Sequence, residues 1–416
     1  MNPLKKKKNN RLYSDFNIIL FSLFIFFLPT QLGKHFFPPY SYLNGVRVDY
    51  LSPTLYLTDI FVFFLFIFNL KTVINFFKNK KVLVGLVLLL INASLAINKP
   101  VAFYQLVKII EWLVVFSLGR DLLKIIREKI LLFILFLSAG LELVLAVSQM
   151  ILKHSLQGFA YWFGERLFTL STPGIAKATI QGIEFLRPYG TFSHPNSLAG
   201  YFLLLYFFVL AAKKFNKYLV WKYLLLFVFS CLIFISFSKA AILTYLILNT
   251  LYFMLNAKTA CRICKIARVT VPIIISLIFL QATTDPLTVD KRLGLIKNSL
   301  TIIFQHPVFG VGLGNYLVAQ SAFASKYFLF FNQPVHNIFL LFITETGIMT
   351  AGMVAYFLLK PVYLIFKENP YVILVVIFTG LFDHYWLTLP QTWLVLALIY
   401  GSVSSAFFVS RLSLRS

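Results

Sequence analysis

The chain has 416 residues, of which 59% are hydrophobic and 12% charged, and it carries a formal net charge of +24. A mean hydropathy of +0.83 lies far above that of a soluble domain. The basic residues fall in short segments between apolar runs, so the composition excludes both a soluble enzyme and a nucleic-acid binder with a folded basic face.

Apolar runs of about 17 to 25 residues match the thickness of a bilayer. They predict about twelve transmembrane helices, near 16–33, 54–70, 82–98, 101–118, 130–152, 197–212, 222–238, 240–256, 269–283, 337–358, 371–387 and 391–409. The expected fold is therefore all-α, a single polytopic membrane domain over 1–416. Placing KKKKNNR in the cytoplasm puts four Lys or Arg in each of the segments 71–81, 119–129, 213–222 and 257–268 on the same side. That asymmetry is the positive-inside bias, and it predicts cytoplasmic N- and C-termini. No small-residue cleavage pattern follows the first run, which reads as a retained anchor.

Within the early spans, Lys108 and Glu111 share a helical face at i,i+3 and can neutralise each other. Two connections, 153–196 and 284–336, are long for helix connections and are expected on the outer side, where loops of this size carry function. The first ends in RPYGTFSHPNSLAGYF, which sets Arg187 and His194 against hydrocarbon. Pro195, Asn196 and Ser197 suit a helix start there, with Asn196 as a possible cap and His194 as a structural residue or a substrate contact. In the inner segments, Cys261 and Cys264 of CRIC lack further ligands nearby, and no zinc site or disulfide framework is expected.

The second loop contains DKRLGLIKNSLTIIFQHP. Arg292, Ile296, Leu300 and Ile303 fall on one stripe, so a helix lying along the membrane surface and ending before Pro307 is expected. Gly310, Gly312 and Gly314 follow without a preceding strand, which excludes a dinucleotide fingerprint and leaves a backbone able to turn sharply. His336 and Asn337 stand at the mouth of the tenth span. Glu345, nine residues on and nearly opposite on the helix, is a poor partner for His336, and a bond to a neighbouring helix is expected. Asp383 and His384 close the eleventh span. All six histidines fall outside the cytoplasm in this topology. Arg187, Lys239 and Arg292, with His336 when it is protonated, then form a set of cations on one side of the membrane, suited to an anionic lipid headgroup.

RPYGTFSHPNSLAGYF, SFSKAAILTY, RLGLIKNSLTIIFQHPVFGVGLGNY and VHNIFLLFITETGIMTAG, spread over 187–358, resemble in order and spacing the O-antigen ligase and O-antigen polymerase superfamily. The resemblance implies a GT-C-like, metal-independent glycosyltransferase of the cytoplasmic membrane that requires no cofactor and acts at the outer face. Its donor would be an undecaprenyl-pyrophosphate-linked glycan, its acceptor a glycan or a lipid, with membrane lipids as its surroundings and no nucleic acid. Arg187 and Arg292 take the pyrophosphate role and His336 that of the base. Lys239 stands where the family commonly has arginine, keeping the charge but losing the bidentate fork. The chemistry is consistent on its own terms. Preplaced cations meet charge growing on a departing pyrophosphate, and a neutral imidazole takes the acceptor proton. No Asp-x-Asp metal cluster occurs in either loop, where Asp285 and Asp290 stand apart. A transporter or flippase of lipid-linked glycan, and a non-catalytic scaffold, are the competing classes, but no internal repeat of the transporter kind is found.

Overall fold

A computed structural model describes residues 3–256, 262–281, 288–323 and 332–404. Cys261, Asp285 and the basic tail lie outside these residues. Sixteen α-helices, four short 3-10 helices and three two-stranded antiparallel sheets make up the regular structure of the described chain, and every predicted span overlaps a helix. Among the described residues, four helices are long and apolar enough to cross a membrane, or five if the bent pair Leu57–Phe68 (α2) and Leu70–Phe77 (α3) counts as one.

Helix α7, Pro195–Ala211, is the centre of the bundle. Its sequence is apolar all the way round, and such a helix is stable only when covered on every side. From Pro195 to Leu210 it is buried throughout except at Asn196. It packs on α8 (Leu219–Ile235), α14 (Pro370–Gly380) and α16 (Pro390–Ser404). Helix α5 (Lys99–Ile125) and α16 approach so closely that a Cβ on Gly119 would sit 2.6 Å from the Leu398 carbonyl oxygen. Small residues allow this backbone contact, which drives helix association where lipid removes the hydrophobic gain.

Two predicted spans are interrupted. The run 54–70 stops at Asn69, where the chain turns through 89° into α3. The Asn69 side chain donates to Asn17 Oδ1 and to the Leu65 carbonyl, which satisfies polar groups at the break. The run 371–387 ends its helix at Gly380, and only a short helix, Tyr385–Thr388 (α15), follows. Non-helical backbone at such depth is tolerated where it lines a cavity, and the residues freed by this break include Asp383 and His384.

The expected helix of the second long loop exists as α11, Thr288–Gln305, but its buried face is turned from the expected stripe. Leu295, Ser299 and Ile302 are buried together with Ile303 of the expected stripe, whereas Leu300 is 42% exposed. The cause is polar, because Ser299 Oγ bonds Thr344 Oγ1 on α13 (Ile338–Glu368) at 2.7 Å and fixes which side meets that helix. The glycine-rich return also packs onto α13. Gly347 breaks the helix with φ +76°, and a Cβ on Gly310 would lie 2.5 Å from its amide nitrogen. Both positions need a bare backbone.

Candidate active site

A cavity of about 950 Å³ opens where the helix ends meet the hairpins. The strands Gly33–His35 and Thr54–Tyr56, paired antiparallel, form part of one wall. The first long loop, the end of the second and the break before α15 form further parts, together with residues such as Tyr104, Lys108 and Trp393 from the neighbouring helices. His194, His336, Glu345, Asp383 and His384 line it, whereas Arg187, Asn196, Lys239, Arg292 and Asn337 do not.

Asp383 is the hub. It is buried to 6% exposure, and its Oδ1 accepts the His384 backbone N–H at 2.8 Å. The His336 Nδ1 lies 3.7 Å from the same oxygen. Oδ2 accepts from Asn196 Nδ2 at 2.8 Å. Asn196 in turn accepts from the Arg187 guanidinium at 2.6 Å, while Arg187 Nε donates to the Ser236 carbonyl at 2.8 Å. A chain of contacts thus runs from the turn before α9 (Lys239–Asn256) through Arg187 and Asn196 to Asp383 and His336. Burial pushes the Asp383 carboxyl up, but the His336 contact and the surrounding imidazoles outweigh it and hold the group well below the usual carboxylate range. Burial lowers His384 to about 3, so at neutral pH it is an uncharged imidazole. Burial also lowers Arg187, to about 10, which leaves it charged at pH 7.

Local sequence explains the placements. His194, not Asn196, caps α7, its Nδ1 accepting from the Asn196 N–H at 3.1 Å. That corrects the expected cap and releases the Asn196 side chain for its bridge between Arg187 and Asp383. A Cβ on Gly200 would collide with the Tyr385 ring, so the absence of a side chain there lets the α7 N-terminus reach α15. Asn337 caps α13 by accepting from the Phe339 and Leu340 amides, both at 3.0 Å, which sets the neighbouring His336 at the cavity wall. His384 Nδ1 bonds Thr388 Oγ1 at 2.8 Å, and its ring lies 5.2 Å from that of His336.

Arg292 sits half-buried beside the site, its Nη1 3.4 Å from the Phe382 carbonyl. Its charge falls within electrostatic reach of Arg187 and His384. Lys239 is exposed at the start of α9, three residues beyond Ser236 and off the cavity. Glu345 meets the loop amides of Gly314 and Tyr316 in place of the expected helix partner. The Lys108–Glu111 pair forms at 3.1 Å, joined by Asp59 from α2.

His336, Asp383 and His384 also bring three ligand atoms within 4.8 Å of one another. Two imidazoles and a carboxylate suit a divalent transition metal, and His384 has the orienting partner such a ligand needs. A search of the two loops for Asp-x-Asp misses this set, because its members come from two segments nearly fifty residues apart. Sequence reasoning also missed Tyr50, whose ring meets His384 edge-on at 5.6 Å, and Arg166, both on the cavity wall.

The comparison with curated proteins gives no match. Residues 189–356 match the family model described as O-antigen ligase (Wzy_C). That segment holds His194, Asn196, Lys239, Arg292, His336 and Glu345, and Arg187, Asp383 and His384 lie just outside it. The matched segment is about two fifths of the chain, and the match supports a relation to the O-antigen ligase and polymerase superfamily, whose members act in surface polysaccharide biosynthesis.

Proposed function

We propose that the chain transfers an undecaprenyl-pyrophosphate-linked glycan to a glycan or lipid acceptor at the outer face of the cytoplasmic membrane, without a metal. The observation that carries this reading is the Asp383 carboxylate set against His336 on the wall of a cavity large enough for sugar residues. In this mechanism the acceptor hydroxyl gives its proton to the His336 imidazole as its oxygen attacks the anomeric carbon, and the bond to the pyrophosphate oxygen breaks. Asp383 stabilises the imidazolium that forms, in the way a buried carboxylate supports a histidine base. Arg292, within electrostatic reach of Arg187 and His384, helps to meet the departing charge. Arg187, with its fork engaged by Ser236 and Asn196, positions Asp383.

The His336, Asp383 and His384 donor set supports a second reading, in which a bound divalent ion activates the acceptor hydroxyl. One assay separates the two. Purified protein in metal-free buffer is given lipid-linked donor and acceptor, with and without EDTA. The base mechanism predicts full transfer by the wild type and a loss of at least about 10²-fold in His336→Gln. Transfer abolished by EDTA and restored by zinc or manganese would establish the metal reading. Unimpaired transfer by His336→Gln would overturn both.

A further inference from the structure

Arg166 lies in the first long loop, outside the segment matching the O-antigen ligase family and outside every motif that carries the resemblance. It lines the same cavity as His336 and Asp383. Its Nη1 donates to the Ser193 carbonyl at 3.0 Å, next to His194, and it makes no ion pair among the described residues. The adjacent acid, Glu165, does not neutralise it. Glu165 is 3% exposed and turned inward, where it accepts from Gln149 Nε2 and from the amides of Leu156 and Gln157 at 2.6 to 2.9 Å.

The loop that presents Arg166 is clamped on both sides. Thr30 Oγ1 donates to the Phe163 carbonyl at 2.5 Å, and Gly164, with φ +89°, packs so tightly on the backbone of Gln31 and Leu32 that no side chain fits. The arginine therefore projects from fixed backbone, as a preorganised cation does. Arg166 and Asp383 both act electrostatically on the Tyr50 hydroxyl, whose ring meets His384 edge-on. Arg166 thus shares the cavity wall with Asp383 and His384, and among the described residues four of its guanidinium N–H groups make no hydrogen bond. Arg187, the arginine that the family resemblance singles out in this loop, is buried and already doubly bonded.

Building on the transferase reading above, we propose that Arg166 is the arginine of the first long loop that grips a phosphate group of a substrate in the cavity. Phosphate offers the planar, bidentate contact that an open guanidinium fork takes. Two sources share this chemistry, the donor's pyrophosphate and an anionic group on the acceptor.

The test uses the full chain in nanodiscs, with Arg166→Ala, Arg166→Lys and His336→Gln beside the wild type. Undecaprenyl pyrophosphate binding is measured by titration at low and high salt, and KM and kcat are measured for donor and acceptor. A charge-assisted contact predicts binding weakened about tenfold or more in Arg166→Ala, with a flatter salt dependence and partial recovery in Arg166→Lys. Unchanged binding of the lipid pyrophosphate together with a raised KM for the acceptor assigns the contact to the acceptor's anion. Unchanged binding and unchanged KM for both substrates overturn the proposal. His336→Gln keeps the lipid pyrophosphate affinity and loses transfer. If it transfers normally, the reading of the base has failed and the binding result for Arg166 stands on its own.

Discussion

Replacing Asp383 by asparagine keeps the shape of the side chain and removes the charge at the centre of the site. When His336 takes a proton, the imidazolium stands 3.7 Å from the Asp383 oxygen. At an effective dielectric near 20, that pair is worth about 4 kcal/mol, or roughly three orders of magnitude in rate. Both partners are more than four-fifths buried, so solvent screening leaves most of this interaction in place. Asparagine also cannot satisfy both of its neighbours. Its carbonyl can accept from the His384 amide, but its NH₂ then faces Asn196 Nδ2, another donor. A stability cost of about 1–3 kcal/mol follows. The assay is steady-state transfer with purified lipid-linked donor, alongside thermal unfolding in detergent. The expected outcome is a kcat lowered by about 10² to 10³ with KM within a few-fold of wild type. A kcat within threefold of wild type, in protein that is folded and inserted, would refute the assignment of Asp383 as the partner of the base.

Arg187→Lys replaces a fork by a single ammonium that cannot hold both the Ser236 carbonyl and Asn196, so transfer is expected to fall at least tenfold with a lowered unfolding temperature. Lys239→Ala, which removes an exposed charge off the cavity, should leave kcat within about threefold, read in the same assay. His384 gives a pH signature. Its folded pKa of about 3 lies below the unfolded value, so the unfolded chain binds more protons between the two, and stability is full above the unfolded pKa and falls as pH drops toward 3. By pH 5 the loss is about 2 kcal/mol, and His384→Gln should flatten the decline of unfolding temperature between pH 7 and 5. Gly347→Ala forces a side chain into a left-handed conformation against the Val308 carbonyl and should abolish accumulation in the membrane, whereas Gly352→Ala, with open space around it, should not.

The helices were legible because hydrophobic runs announce them directly. Their interruptions were not. The run 371–387 reads as one span, and only the packing of α7 against α15 reveals why it yields to a break that frees Asp383. The orientation of α11 escaped for a related reason, since the Ser299–Thr344 bond joins residues forty-five apart. At the site, His336 and Arg187 stood out as polar residues against hydrocarbon. Asn196 was read as a cap because its position suits one, yet the preceding histidine takes that role. The bond from Asn196 to Asp383 spans 187 residues, and no local spacing encodes it. Lys108 shows the same limit. Its partner at i,i+3 follows from helix geometry, whereas Asp59 comes from another helix.

A structure of the inactive His336→Gln protein in a nanodisc with the lipid-linked donor bound is the most direct measurement. The account predicts the pyrophosphate beside Arg292 and Arg166, with the first sugar in the cavity and its anomeric carbon facing the position of the His336 imidazole across from Asp383. A donor seated with its phosphates at the far end of the bundle, or with its sugar outside the cavity, would contradict it.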